Sequence, residues 1–395
     1  MKAEHYKPTH LVFGGGTLSQ LGKDVRRYGQ KALVVTGVNS VKRYGTMPRV
    51  IASLQAFGIA VVECSGVESN PRISSVVRGV QIARDQNCDV IIALGGSSVI
   101  DAAKVMAAAV YYEGEPWDMF YHSLGKVYLP TRALPIVTVP TLITTGSERN
   151  NAAVVYNDKT NLKSFIVSDL LYPRITLVDP ELTLSVPQDQ TAYGVCDLIT
   201  RVTEGYLTGF DGSQRQEGFL ARVIQTAMEW GPKSVFNGSD LEARTQIQWA
   251  SVVAFNGWAQ VSINYAPLVF LLAHTLCAYH DISHGAALAV VNLAWMRFAV
   301  RTHPARFAQF ARRIFGLRLN GENVAELAKS GIDHFEAFLK YIGCPTRLPE
   351  LGIGDKLLHR YAKDTLLFLR DDNSNLPGSI VISESDIINV LMLAL

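Results

Sequence analysis

The sequence contains few cysteines and few charged residues for its length. Five cysteines are scattered over 395 residues, and no two of them form a Cys-x-x-Cys pair. Neither a disulfide framework nor a cysteine-based zinc site is indicated, and a reducing cytoplasm is the expected compartment. The 37 basic and 35 acidic side chains leave a net charge of +2. This balance excludes intrinsic disorder and gives no reason to expect a nucleic-acid partner.

Long apolar segments are also missing. The longest stretch without Asp, Glu, Lys or Arg, Thr245–His280, is interrupted by several polar residues and by Pro267. A helix that spans a bilayer needs about 20 predominantly apolar residues. The N-terminal residues Met1–Tyr6 lack the apolar run of a secretory signal. We therefore expect neither a transmembrane segment nor a membrane partner.

The first half of the chain alternates short β-branched runs with helical patterns. Each run has five or six residues, which is too short for a buried helix, and most are bounded by Gly, Asn, Asp or Pro. The alternation predicts a Rossmann-like α/β domain with a parallel sheet and crossover helices. The predicted strands are Lys31–Thr36, Ile59–Glu63, Asp89–Leu94, Pro135–Val139 and Arg174–Val178.

The pattern changes after Ser185-Val186-Pro187. From there onward the apolar residues recur with the period of a helix, and few strand-like runs remain. We therefore predict an α/β nucleotide-binding domain over 1–185 and an all-helical domain over 186–395. The predicted helices of the second domain are Gln190–Leu207, Gly218–Trp230, Asp240–Ala259, Leu268–Cys277, Ala286–Val300, Pro304–Phe315, Asn323–Ile342 and Asp355–Phe368.

A glycine turn opens a helix directly after the third predicted strand. Glycines let the backbone approach a phosphate closely, and the N–H groups and dipole of the helix form an anion site. We expect a serine at 97 or 98 to cap the helix, and the helix dipole favours a carboxylate in the first turn. Such turns also serve as plain strand-to-helix connections. The residues predicted at a dinucleotide are Gly95, Gly96, Ser97, Ser98 and Asp101.

A second turn follows the first predicted strand, at the place where a nucleotide ribose would be recognised. A carboxylate there would accept a hydrogen bond from the 2′-hydroxyl and repel a 2′-phosphate. Residues Gly37, Asn39 and Ser40 include no carboxylate, and Lys42 and Arg43 are nearby. We therefore predict that NADP(H) is favoured over NAD(H). The alternative is that Lys42 and Arg43 belong to a solvated helix face.

Several motifs together resemble the iron-dependent (group III) alcohol dehydrogenase family. They cover nearly the whole chain in the family's order. Within the family, the lack of an acidic residue at Asn39 and the presence of His280 resemble the NADPH-dependent aldehyde reductases. The motifs are Gly95-Gly96-Ser97-Ser98-x-x-Asp101-x-x-Lys104, Pro140-Thr141-x-x-Thr144-x-Gly146-Ser147-Glu148, Asp179-Pro180, Asp197, Glu242-Ala243-Arg244 and His274…His280…His284-Gly285.

The resemblance implies a dehydroquinate synthase-like fold of two domains, with the nicotinamide in the cleft between them. It implies that the Gly95–Ser98 turn binds the pyrophosphate. It places Thr138, Thr141 and Leu142 near the nicotinamide or its ribose, and it has Lys163 reach into the cleft. A homodimer is one assembly state that it suggests.

The metal site of the family is altered in this chain. Members of the family hold the ion with an Asp-x-x-x-His pair, with a His four residues before another His, and with the His of a His-Gly pair. Asp197 and His284 match this pattern. Arg201 stands at the second ligand position, and Phe270, four residues before His274, stands at the third. Because residues four apart share a helix face, both substitutions are expected to point at the usual place of the ion.

Neither substituted side chain can bind a cation. Arginine stays protonated and phenylalanine offers no lone pair. A divalent ion about 5 Å from the Arg201 guanidinium would be repelled by roughly 7 kcal/mol at an effective dielectric constant near 20. We therefore expect no stoichiometric iron or zinc, and an ion pair between Arg201 and Asp197 in its place. The alternative is that His274, His280 and His284 regroup around a metal with Asp197.

These residues favour an oxidoreductase that transfers hydride between a nicotinamide and a small carbonyl or alcohol. Arg201 would stabilise the developing alkoxide or orient an acidic group of the substrate, and His274 would donate the proton. Lys163 completes the predicted catalytic set. The main alternative is a catalytically silent, nucleotide-binding relative with a regulatory or assembly role. A metal-assisted lyase on the dehydroquinate synthase scaffold is disfavoured because it also needs the ion.

Overall fold

The computed structural model divides the chain into two compact units. The first unit comprises Tyr6–Val186 together with Ser239–Gln248, and the second comprises Pro187–Gly238 and Trp249–Leu395. The residues that the structure describes are 6–121, 127–160, 162–208, 214–255, 257, 267–318, 323–369 and 382–395.

A six-stranded sheet forms the centre of the first unit. Every neighbouring pair in it is parallel, and the spatial order is β1-β8-β5-β4-β2-β3. A separate antiparallel hairpin is formed by β6 and β7. The strands are β1 His10–Phe13, β2 Lys31–Gly37, β3 Ala60–Val67, β4 Val90–Gly95, β5 Ile136–Pro140, β6 Ala152–Asn157, β7 Leu162–Val167 and β8 Ile175–Val178.

Two apolar clusters cover the two faces of this sheet. Ile91 and Ala93 of β4 belong to one cluster, whereas Val90, Ile92 and Leu94 belong to the other. Because successive side chains of a strand point to opposite faces, β4 is buried on both sides, as is typical of a parallel sheet. The helices of this unit are α1 Leu21–Val25, α2 Ser40–Arg43, α3 Thr46–Gln55, α4 Ile73–Asp85 and α5 Ser97–Ala109.

The second unit is helical throughout its described residues. Helix α8 lies across the boundary, because its first residues belong to the first unit. The helices are α6 Gln188–Thr208, α7 Gln214–Phe236, α8 Leu241–Ala254, α9 Leu268–His280, α10 His284–Ala299, α11 Pro304–Phe315, α12 Val324–Tyr341, α13 Leu358–Leu369 and α14 Glu384–Ala394.

The predicted architecture of an α/β domain followed by a helical domain is confirmed. All five predicted strands are present, and the second, predicted over Ile59–Glu63, extends to Val67. Each predicted helix also has a counterpart, although the predicted segment Asp240–Ala259 is helical only to Ala254 and then runs into residues outside the described part. Helix α7 continues through Pro232 to Phe236 instead of ending at Trp230. The proline lacks a backbone N–H, so α7 continues with one intrahelical hydrogen bond fewer, and Gly231 beside it lies directly against Val195.

The hairpin, β1 and α14 were not predicted. Apolar residues fall on both faces of β6 and β7, so the alternation that marks a half-buried strand is absent. Strand β1 has only four residues, which is too short for a periodic signal. Helix α14 begins with a capping box at Ser383 and Asp386, a pattern that predicts a helix start and that the sequence interpretation overlooked.

Candidate active site

Two turns lie at the reversal point of the strand order: the glycine turn after β4, and the turn over residues 37–43 after β2, which we call the ribose turn. Strands β2 and β4 are neighbours, and the chain continues from β2 to β3 on one side and from β4 to β5 on the other. In open α/β sheets, ligands bind in the crevice at the carboxyl ends of strands on either side of such a point. The turns at Gly37 and Gly95 end these two strands, which places the sequence-predicted dinucleotide residues together.

The glycine turn leads into α5 without a side-chain cap. Gly96 is the N-cap residue in an extended conformation, and neither Ser97 nor Ser98 caps the helix, so the predicted serine cap is wrong. The Ser98 hydroxyl instead donates to the backbone oxygen of Ser69 in the β3–α4 connection. Ser97 is the first helical residue and needs no positive φ. The backbone N–H groups at this helix start remain the anion-binding feature.

The residues predicted near the nicotinamide pack against this turn. The Thr141 N–H donates to the Gly95 oxygen over 3.1 Å. A Cβ atom at Gly96 would lie 2.5 Å from a methyl carbon of Leu142, so glycine permits the close contact. Thr138 is fully buried on β5, and its hydroxyl donates to the backbone oxygen of Glu148. The glycine turn and the residues predicted near the nicotinamide therefore form one continuous structure.

Asp101 has protein partners on both carboxylate oxygens. One oxygen accepts from the Ser147 hydroxyl, and the other accepts from the Val154 N–H over 3.1 Å. Burial raises the pKa of this carboxyl, and the neighbouring Lys104 opposes the increase. Asp101 thus connects α5 to the segment that follows β5. Its predicted contact with a dinucleotide stays a prediction.

The ribose turn carries an ion pair that weakens its positive charge. The Lys42 ammonium lies 2.9 Å from a carboxylate oxygen of Glu63 on β3. Glu63 pairs in register with Val34, three residues before the end of β2 at Gly37. Lys42 is therefore directed along the sheet edge, and Arg43 lies over the Tyr44 ring at 5.6 Å. Asn39 and Ser40 are exposed at the start of α2.

Lys163 is half-buried on β7. Its ammonium donates to the Asn70 side-chain oxygen over 3.0 Å. Asn70 lies in the same β3–α4 connection that Ser98 contacts through Ser69. Lys163 therefore lies at the turns that follow the carboxyl ends of β3 and β4. Its catalytic role stays a prediction.

In the helical unit, three ionisable side chains follow one face of α6. Asp197, Arg201 and Glu204 stand at i, i+4 and i+7 of this continuous helix. Burial raises the pKa of Asp197 to about 7 and that of Glu204 to about 8, and Arg201 opposes both increases. A carboxylate oxygen of Glu204 accepts the Val269 N–H over 2.9 Å. Glu204 therefore caps the start of α9.

The other family positions meet beside this face through their rings. The His274 and His284 rings stack with centroids 4.3 Å apart, and Phe270 approaches both edge-on, at 4.2 and 5.4 Å respectively. Gly285 allows α10 to begin this close to α6, because a Cβ there would lie 2.5 Å from the Tyr193 backbone oxygen. The predicted juxtaposition of Phe270, His274 and His284 is present in the structure.

The predicted ion pair of Arg201 is not formed. Among the described residues, the Arg201 Nε is buried without a hydrogen-bond partner, no ion pair joins Arg201 to a carboxylate, and its guanidinium lies 5.3 Å from the centre of the Phe255 ring. The side chain nevertheless interacts electrostatically with Asp197 and Glu204. A cation over an aromatic face is a common arrangement for arginine, and here it competes with the ion pair.

These residues do not fit a divalent ion. Arg201 brings a positive charge beside Asp197, and Phe270 brings a hydrocarbon ring beside His284. Among the described residues, no three or more His, Cys, Asp or Glu side chains are close enough to share a metal ion. Regrouping with His280 is also not present, because its Nε2 lies 2.6 Å from the Tyr361 hydroxyl on α13.

Lys104 is a further buried residue of the candidate site, for which the sequence predicted no role. Lys104 is fully buried on α5, and its ammonium contacts the loop after β5 at several points. Its spacing of three from Asp101 places both on one helix face, and this spacing could have indicated a shared function.

A parallel sheet with a glycine turn at its reversal point, followed by a helical unit, defines a class of two-domain oxidoreductases. Residues 8–180 match the family described as iron-containing alcohol dehydrogenase, and residues 191–395 match the C-terminal domain of the same family. The chain therefore belongs to the iron-containing alcohol dehydrogenase family.

Named relatives agree with this assignment. The chain is 36% identical to NADH-dependent butanol dehydrogenase A of Clostridium acetobutylicum, over 91% of each chain. It is 29% identical to an NADPH-dependent aldehyde reductase of Escherichia coli, over 88% of each chain. The crystal structure of NADH-dependent butanol dehydrogenase A from Thermotoga maritima superposes with a TM-score of 0.93 at 34% identity, covering 100% of this chain and 98% of that one. None of the described helices is long and apolar enough to cross a bilayer.

Proposed function

We propose that this chain interconverts a small alcohol and the corresponding aldehyde or ketone with NAD(P)(H), and that it does so without a bound metal. The observation that carries the proposal is Arg201 at a ligand position of a fold that retains Gly95 and Gly96 at its glycine turn, with Ser97 in place of the family's third glycine. The activity is supported by the relatives, which are named as butanol dehydrogenases and aldehyde reductases. The absence of a metal is supported by the chemistry of Arg201 and Phe270.

In the direction of reduction, hydride would pass from the reduced nicotinamide to the carbonyl carbon. The Arg201 guanidinium would stabilise the negative charge that develops on the carbonyl oxygen, as a fixed hydrogen-bond donor does. His274 would donate the proton that converts this oxygen to a hydroxyl, and the nicotinamide would leave oxidised. Lys163 is proposed to assist at the same reacting centre. A substrate with a carboxylate or another acidic group suits a guanidinium well.

We propose NADP(H) as the preferred cofactor, because the exposed residues Asn39 and Ser40 include no carboxylate to repel a 2′-phosphate. The Lys42–Glu63 ion pair leaves Arg43 as the remaining cation of the turn. The names of the relatives include both NADH-dependent and NADPH-dependent enzymes. Titration of both cofactors by fluorescence decides the preference, and tighter binding of NADH would reverse it.

The cofactor site is tested by Gly95→Asp, with Gly95→Ala as the matched control. Both variants place a Cβ atom 2.6 Å from a methyl carbon of Val99, so the steric effect is the same in both. Only aspartate adds a negative charge where the pyrophosphate is proposed to bind. We expect NADPH binding to be on the order of 100-fold weaker in Gly95→Asp than in Gly95→Ala, since each 1.4 kcal/mol is about tenfold. Equal binding of NADPH by the two variants would show that the pyrophosphate does not bind at this turn.

A second candidate is a nucleotide-binding relative without catalysis, and the same two residues, Arg201 and Phe270, favour it. It predicts NADPH binding with no turnover of any small aldehyde. An assay of NADPH oxidation with a panel of neutral and acidic aldehydes separates the two candidates.

We also propose a cytoplasmic location, supported by five buried cysteines that are all free thiols. The homodimer suggested by the family stays a prediction, which sedimentation velocity would test.

A further inference from the structure

Lys104 donates to more acceptors than it has hydrogens. Its Nζ lies 3.0 Å from the Ser147 hydroxyl, 2.8 and 2.9 Å from the side-chain and backbone oxygens of Asn150, and 2.9 Å from the Ala152 oxygen. The side chain is fully buried. A buried charge is costly unless it is paired and hydrogen-bonded, so an arrangement this complete is a specific structural feature.

Every hydrogen-bond acceptor of Lys104 lies in one loop, residues 147–152, which we call the clamp loop. Asp101, one turn earlier on α5, holds the same region from the other side through Ser147 and Val154. The clamp loop is also braced from within, because Asn150 donates to the Gly146 oxygen and accepts from the Ala152 N–H. One ammonium and one carboxylate on α5 therefore fix the loop.

Helix α5 begins at one half of the proposed cofactor site, and the clamp loop contacts the segment proposed as the other half. Helix α5 begins at the pyrophosphate turn, since its N-cap is Gly96. The clamp loop closes onto β5, where Thr138 donates to the Glu148 oxygen. Between them, Leu142 contacts Gly96. The nicotinamide-side residues are thus held on two sides, directly by β4 and the glycine turn and indirectly by α5 through the clamp loop.

We propose that Lys104, together with Asp101, is a positioning residue that keeps the clamp loop against Thr138 and so supports the nicotinamide-side segment Thr138–Leu142 on the side opposite its pairing with β4. This inference rests on the proposed function, because it assumes that a nicotinamide dinucleotide binds along these two segments. Lys104 acts through the clamp loop and does not touch the cofactor. Misplacement of the nicotinamide by about 1 Å can slow hydride transfer on the order of 100-fold.

The test compares two ligands that differ only in the nicotinamide half: NADPH and 2′-phospho-ADP-ribose, which lacks the nicotinamide ring. In Lys104→Met, we expect 2′-phospho-ADP-ribose to bind about as tightly as it does to the wild type. NADPH should lose the part of its affinity that exceeds that of the analogue, and single-turnover hydride transfer should slow by one to two orders of magnitude. Lys23→Met, at an exposed position on α1, is the control and should change nothing.

Two results would overturn the proposal. An equal loss of affinity for both ligands would mean that Lys104 supports the whole unit, and unchanged NADPH affinity with unchanged hydride transfer would mean that the clamp is dispensable. A wild-type protein that binds neither ligand would overturn the proposed function itself. If Lys104→Met does not fold by thermal melting, Lys104→Met combined with Asp101→Asn removes both charges of the pair and must show the same uneven loss.

Discussion

Arg201 places a fixed positive charge beside two buried carboxyl groups of α6. Its guanidinium stands one turn from Asp197 and one turn from Glu204, and both of these carboxyls are buried enough for their pKa to be raised. Without a nearby cation, two buried acids on one helix face would be expensive to ionise. The fixed charge of Arg201 thus compensates locally for Asp197, a task that a metal ion performs when four ligands are present.

The residues of the ribose turn lead to a prediction on cofactor preference. Glu63→Gln removes the carboxylate that holds Lys42 at 2.9 Å. The freed ammonium can then approach a 2′-phosphate, and exposed pairs of this kind contribute about 0.2–1 kcal/mol. We expect the affinity ratio of NADPH to NADH to rise about two- to fivefold, measured by fluorescence titration.

Glu181→Gln is the matched control for this variant, because it removes an exposed carboxylate that pairs with Arg49 on the same unit. It should leave the ratio unchanged. A ratio that does not move in Glu63→Gln would show that Lys42 has no access to the ribose, and the preference would then depend on Asn39, Ser40 and Arg43.

At the scale of elements, three helices carry the residues at the family's metal-ligand positions. Helix α6 supplies Asp197 and Arg201, α9 supplies Phe270 and His274, and α10 starts with His284. Their helical period is visible in the sequence, and spacings of four therefore predicted correctly which side chains share a face. Spacing could not predict that Arg201 would lie against Phe255, since that contact joins α6 to a residue beyond the end of α8.

The start of α9 carries a prediction on pH and stability. Burial raises the pKa of Glu204 to about 8, from an ordinary 4.5, although it accepts the Val269 N–H. Between these values the folded protein binds a proton that the unfolded chain has lost, so this group's contribution to stability falls as pH rises, by about 1.4 kcal/mol per pH unit. Glu204→Gln keeps the acceptor and removes the titration. The variant should gain stability relative to wild type between pH 5 and 8, measured by urea unfolding.

Glu242→Gln serves as the control for this experiment, because it removes an exposed carboxylate at the start of α8. Its stability difference from the wild type should be nearly constant over the same range. A Glu204→Gln curve parallel to that of the wild type would show that Glu204 is ionised in the folded protein throughout, with Arg201 supplying the compensation.

For the whole molecule, the sequence was informative wherever function depends on local order along the chain. The glycine turn, the Asp-x-x-x-Arg spacing and the change from strands to helices near residue 186 are all local patterns. The ion pair of Lys42 with Glu63, the clamp loop on Lys104 and the contact of Ser98 with Ser69 join distant segments. Side-chain partners of this kind follow from tertiary packing, which a single sequence does not specify.

If the metal site is lost as proposed, two substitutions should restore it. Arg201→His with Phe270→His would place two imidazoles beside Asp197 and His284, and four ligands of these types bind iron or zinc. We expect about one divalent ion per chain in the double variant, as a single restored site allows. An empty double variant would show that the surrounding residues have also changed.

The most direct test of the account is the metal content of the active wild-type protein. Elemental analysis of purified protein should find far less than one iron or zinc per chain, while NADPH-dependent reduction of an aldehyde proceeds at the same rate with and without a chelator. A full equivalent of metal, or activity that is lost on chelation and regained with iron or zinc, would contradict the proposal that Arg201 acts in place of the ion.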